Sequence, residues 1–109
     1  MIIVVAHRFT RECIRGGLAK PEDRQAAISR LREQAGGKLL NLYFTLGQHD
    51  FLAIADMPDA KAASVLSLVA AGGGIRDVVT TPAFTTAEGK ELFERAGKMA
   101  GSYKPMGAF

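Results

Sequence analysis

The fold class this sequence predicts is α+β: a four-stranded antiparallel sheet with two helices on one face and an extra carboxy-terminal helix. Three observations predict it. The stretch from Leu39 to Met57 is two apolar runs joined by Gly47-Gln48-His49-Asp50, which reads as a hairpin. Two stretches of helical period each lie between runs of strand period. Finally, Ile2-Ile3-Val4-Val5 and Phe51-Leu52-Ala53-Ile54-Ala55 are apolar on both alternating faces, so a sheet built from them needs cover on both sides.

The first strand runs from Ile2 to Phe9, with Ile3, Val5, His7 and Phe9 on one side and Ile2, Val4, Ala6 and Arg8 on the other. Thr10 is placed to cap a short helical turn through Ile14, and Gly16-Gly17 is expected to end it. Pro21 suits the first position of a longer helix, followed by Glu22 and Asp23 at the positive end of its dipole. Its core stripe is Arg24, Ala27, Ile28, Leu31 and Ala35, and Gly36-Gly37 stops it. In the first hairpin strand the alternation puts Leu40, Leu42, Phe44 and Leu46 on one face and Leu39, Asn41, Tyr43 and Thr45 on the other. Pro58-Asp59 opens the next helix, with a stripe of Ala62, Val65, Leu66 and Val69, and Gly72-Gly73-Gly74 closes it. That glycine run follows a helix, whereas a phosphate-binding loop precedes one, so it reads as a terminator. The fourth strand, Ile75 to Phe84, carries Ile75, Val79 and Ala83 on one parity and Val78 and Phe84 on the other. Pro82 lacks a ladder donor and belongs at an edge or a bulge. Thr85 and Glu88 have capping-box spacing and start the last helix, which bears Leu92, Phe93, Ala96 and Met99. Residues 1–101 form the expected single domain. Residues 102–109 form a tail without period, loose or pinned through Tyr103, Met106 and Phe109.

With 109 residues, 48% hydrophobic and 23% charged, the composition is that of one soluble globular domain. No apolar run is long enough to span a bilayer, and the start of the chain reads as a strand rather than a leader, so no membrane partner is expected. A single cysteine, Cys13, makes no intrachain disulfide, and a cytoplasmic location is the expectation. The net charge of +3 is uneven: through Lys38 there are eight basic and four acidic residues, and beyond it six and seven. Acidic residues interrupt the basic ones and no aromatics alternate with them, so the pattern reads as a solvated helix face and a nucleic-acid partner is not expected.

Strand, helix, strand, strand, helix, strand is the order of a ferredoxin-like βαββαβ arrangement, with both main helices on one face. The other face keeps a full parity of Ile, Val, Leu and Phe side chains. A second copy of the chain is its expected cover, as a homodimer or higher homo-oligomer, with the carboxy-terminal helix as the alternative cover in cis.

Gly36-Gly37-Lys38-Leu39, the Thr45-Leu46-Gly47-Gln48-His49-Asp50 turn, the following Phe-Leu-Ala-Ile-Ala-Asp with Met-Pro-Asp, and Ile75-Arg76-Asp77-Val78 with Ala83-Phe84-Thr85 resemble the GYD-domain family of small bacterial proteins. The resemblance extends from Ile2 to Phe84 and implies a ferredoxin-like fold of the dimeric α/β-barrel type. Gly47 and Asp50 match the Gly-x-Tyr-Asp pattern, while His49 stands where the tyrosine would be. The family's function is uncharacterised, so the resemblance transfers no catalytic residue.

His49 beside Asp50 invites an acid–base reading, because a carboxylate can orient an imidazole. The plainer role for Asp50 is to accept backbone donors and shape the turn. His7 could line a sheet cavity with Asn41 or Tyr43, or be a histidine satisfied by one hydrogen bond. Two histidines and one cysteine at unrelated spacings make no metal site, and no nucleophile-elbow or phosphate-loop spacing occurs, so no cofactor is expected. Two functions remain. One is a homo-oligomeric small-ligand or assembly module without catalysis, with His7, Arg8, Asn41, Tyr43, His49 and Asp50 as candidate pocket residues. The other is a cofactor-independent oxygenase or isomerase acting on a small organic molecule, which rests on fold analogy alone.

Overall fold

The computed structural model describes residues 1–107. Its elements, in chain order, are β1 (Ile2–Phe9), α1 (Arg11–Ala19), α2 (Gln25–Gln34), β2 (Lys38–Phe44), β3 (Phe51–Asp56), α3 (Ala60–Ala71), β4 (Ile75–Ala83) and α4 (Thr86–Ala100). The helix starts follow the side chains that can accept a backbone donor. Thr10 accepts from the Cys13 amide at 3.2 Å and Asp59 from Ala62 at 2.8 Å. Thr85 and Glu88 complete a reciprocal capping box at 3.1 and 2.9 Å.

Three helix boundaries differ from expectation. α1 continues through Gly16-Gly17, and its last turn is closed by the Lys20 amide donating to the Gly16 carbonyl at 2.9 Å. Glycine permits a stop without enforcing one; Gly36, just past the end of α2, takes the left-handed φ that favours one, +82°. α2 begins after Pro21, because the Asp23 carboxylate takes the Gln25 amide at 2.8 Å and starts the helix there. Pro58 likewise stands outside α3, one residue before its cap at Asp59.

The four strands form one antiparallel sheet in the order β2-β3-β1-β4, with β1 and β3 central. β1 and β3 pair without a break from Ile2↔Asp56 to His7↔Phe51. Ile3, Val5, Phe51, Ala53 and Ala55 therefore share one face, and they are buried with Leu39, Met57, Ala63 and Leu66 in a single core. Ile28 and Leu31 of α2, Ala35 at its C-cap and Ala62 of α3 pack against it, so both helices lie on that face. The 2.8 Å contact between the Ser67 and Thr80 hydroxyls fixes α3 over β4.

Both edge strands contain an irregularity that resets their alternation. In β2 the register shifts between Leu39 and Asn41, so Leu39, Leu42 and Phe44 lie with Ala55, Ala53 and Phe51, while Leu40 is exposed. The expected grouping of Leu40 with Leu42 and Phe44 is thus corrected, because one extra residue flips every side chain beyond it. In β4 the shift falls opposite His7, where Asp77 takes φ +53°, and it moves Ile75 to the helix side, away from Val79 and Ala83. Pro82 sits in this edge strand.

The second face of the sheet carries Ile2, Val4, Ala6, Leu52 and Ile54, all half-buried, beside the exposed Val79 and Tyr43. α4 does not cover it: no residue of α4 is buried, and Leu92, Phe93 and Met99 are exposed. The radius of gyration is 17.8 Å, against about 13 Å for a compact domain of this size, which reflects the projection of α4. Of the tail residues expected to pin the chain end, Tyr103 and Met106 are exposed, and Phe109 lies outside the described residues.

Gly37 is the position where packing tolerates no side chain. A Cβ there would meet the Met57 sulfur and lie 2.7 Å from the Asp56 carbonyl oxygen. Gly37→Ala is expected to lower stability in urea unfolding by about 1–3 kcal/mol. Gly16→Ala, which meets nothing within 4 Å inside an exposed helix, is expected to raise it by about 0.5–1 kcal/mol.

Candidate functional site

The turn between β2 and β3 is held by its own backbone and by β1. The Thr45 amide donates to the Asp50 carbonyl at 3.1 Å, the Thr45 hydroxyl to the His49 carbonyl at 2.6 Å, and the Gly47 amide to the same His49 oxygen at 2.9 Å. Leu46 takes φ +48°, a conformation unusual for a branched residue. Three bonds then tie the turn to β1: the Asp50 amide to the His7 carbonyl at 2.9 Å, the Phe9 amide to Asp50 Oδ2 at 3.0 Å, and Arg8 Nε to the Gln48 carbonyl at 2.8 Å. Asp50 extends the ladder by its backbone and takes the next β1 donor with its side chain.

Beside this turn lies a cleft of about 210 Å³, bordered by Ala6 and Leu52 of the open sheet face and by Thr45, Gly47, Gln48 and His49 of the turn. It is smaller than the usual ligand pocket of roughly 300–1,000 Å³.

The six candidate residues fall into three groups. Arg8, His49 and Asp50 gather at the turn. Asn41 and Tyr43 sit together on the exposed side of β2, the Asn41 amide reaching the Tyr43 hydroxyl at 3.4 Å. His7 is on the opposite face of the sheet from Asn41 and Tyr43, 4% exposed, so the expected cavity shared by these three does not form. The reason is the β2 bulge together with the buried parity of β1.

His7 stacks on Phe51 with ring centroids 3.9 Å apart and stands edge-on to Phe9 at 5.6 Å. Burial pushes its pKa down to about 4, assisted by the Arg32 guanidinium and His49 and opposed by Asp50. The imidazole is therefore neutral at pH 7. Arg32 was not singled out from the sequence. It is 8% exposed on the inner side of α2, and burial lowers its pKa as well. Its signal was available: position 32 completes the helical stripe of Ile28, Leu31 and Ala35, where an apolar residue is the norm.

Among the described residues no group of three or more His, Cys, Asp or Glu side chains could hold a metal ion, and no helix is long and apolar enough to cross a membrane. A model of the GYD domain matches residues 3–93, from β1 into α4. No curated protein and no solved structure matches the chain.

Two outcomes follow from this geometry. Asp50→Ala removes the acceptor of the Phe9 amide, and a loss of about 1–3 kcal/mol is expected in chemical denaturation. For His7 the folded value lies below the unfolded value of 6.5, so between them the unfolded chain binds the extra proton. Its contribution is complete above pH 6.5 and declines as pH falls, with about 3 kcal/mol lost by pH 4. Unfolding free energies measured from pH 7.5 to 4 are expected to show this decline, and His7→Phe is expected to flatten it.

Proposed function

The chain belongs to the GYD-domain family, and from that premise we propose that it acts as a homo-oligomeric module, a ferredoxin-like domain of the dimeric α/β-barrel type. In this reading two copies pair through their open sheet faces and enclose a small ligand beside the motif turn. The observation that carries it is the uncovered sheet face. Val4 and Ile54 are cross-strand partners at the centre of the sheet, flanked by Ala6, Leu52 and Val79, and α4, which has no buried residue, does not shelter them. An apolar sheet face of this kind is ordinarily buried against something. The exposed Leu92, Phe93 and Met99 of α4 add a second apolar surface for a neighbouring copy to cover.

The cleft supports the ligand half of the reading. It opens beside Ala6 and Leu52 on the same face, so a second sheet seated there would roof it and enlarge it toward the size of ordinary ligand sites. Its polar groups are Thr45, Gln48 and His49, with Arg8 held against its rim. A single free cysteine suits a cytoplasmic setting. A second reading, a cofactor-independent oxygenase or isomerase, is favoured by one observation: His49 borders the cleft and could move a proton there. It requires turnover that His49→Gln abolishes while the assembly stays intact.

Light scattering coupled to gel filtration tests the assembly. The expected mass is at least twice the 11.6 kDa of one chain. Val4→Asp and Ile54→Asp each place a carboxylate at the middle of the paired faces and are expected to weaken association by about 3 kcal/mol or more, with far-UV circular dichroism unchanged. A wild-type protein that remains monomeric at all concentrations would overturn the proposal.

A further inference from the structure

Two helices of this chain present apolar surface that the chain itself leaves bare. Lys61 is the one charged residue of α3, whose outer side carries Val65, Leu68 and Val69, all exposed, Leu68 at 76%. The serines add nothing polar to that side: the Ser64 hydroxyl donates back to the Ala60 carbonyl at 2.8 Å, and Ser67 meets Thr80 of β4. A helix that is apolar all round is ordinarily covered all round. In α4 the helical period gathers Leu92, Phe93, Ala96 and Met99 into one stripe and sets the charged residues between Lys90 and Lys98 on the other side. No residue of α4 is buried, and Phe93 is 83% exposed.

We propose that α4 of one copy packs along the outer side of α3 of a second copy, and that the second copy's α4 returns the contact. The occupant is a second copy because the chain cannot lay α4 over its own α3. Phe84 and Thr85 alone join β4 to α4, and two residues reach about 7 Å at most, whereas the outer side of α3 stands a helix diameter, roughly 10 Å, above the sheet. α4 leaves the body instead, and the molecule extends 61 Å along its longest axis. The area suits a stable dimer. Exposed Val, Leu, Phe and Met side chains each offer on the order of 100 Å², so three from each helix, in two symmetric helix pairs, bury roughly 1,200 Å², where standard interfaces begin. A one-sided contact would bury about half of that, so the reciprocal exchange is the form that holds. It occupies the helix side, opposite the open sheet face, and does not rest on the pairing of sheets.

Light scattering coupled to gel filtration of the full chain tests the exchange, read on Val4→Asp chains so that sheet pairing does not contribute. Those chains are expected to remain dimeric. Leu68→Asp and Phe93→Lys, added singly, each put a charge into both helix pairs and are expected to raise the dissociation constant about tenfold or more. Both positions are exposed in the single chain, so the fold is not at risk. The two variants are then mixed in equal amounts. A mixed dimer has one unaltered helix pair and one in which the introduced charges are opposite, and association is expected to return to within about threefold of the parent. A parent that is monomeric at all concentrations, a Leu68→Asp chain that associates as before, or a mixture no stronger than either variant alone would overturn the exchange. If Val4→Asp does not fold, the same series on the wild-type chain carries the comparison. Failure of the sheet pairing shows in Val4→Asp and failure of the exchange in Leu68→Asp and Phe93→Lys, so the two are told apart.

Discussion

The register between the two central strands governs the rest of the molecule. From Ile2↔Asp56 to His7↔Phe51 the pairing of β1 with β3 has no break. It decides that Ile3, Val5, Phe51, Ala53 and Ala55 meet the helices, and that Ile2, Val4, Ala6, Leu52 and Ile54 do not. A slip of one residue would exchange these sets. The alanines matter as much as the larger residues: Ala53 and Ala55, 0% and 1% exposed, let α2 and α3 approach the sheet while Met57 and Leu66 fill the space between. The turn obeys the same register, since Asp50 is fastened to His7 and Phe9, the residues that continue β1 beyond it.

Much of this was legible in the residues. Alternation identified the four strands, helical period identified α2, α3 and α4, and the Thr85–Glu88 spacing located a cap that forms as expected. What alternation could not carry was the phase of the edge strands, because an inserted residue at Leu40 or Asp77 leaves no mark in a string of apolar letters. Gly16-Gly17 misled for a related reason: a glycine pair looks alike whether it stops a helix or lies within one, and the difference is a dihedral angle.

The candidate site was legible in its parts and not in its arrangement. The motif turn was readable from Gly47 and Asp50, and the plain role for Asp50, accepting a backbone donor, is among the bonds it makes. The partition of His7 from Asn41 and Tyr43 was hidden by the β2 bulge. Arg32 escaped notice because a charge is ordinarily assigned to the solvated side of a helix. Its burial puts a positive charge under α2 that joins no ion pair among the described residues, opposite in both place and character to the apolar outer face.

The irregular edges have one more effect. β2 and β4 are the two strands with unpaired backbone along their outer margins, and each is kinked, the second also interrupted by Pro82. Bends and a missing donor make a poor template for lateral strand addition, the route by which sheets grow into ribbons and fibrils. Crowded copies of this chain thus find little at these margins on which to zip edge to edge.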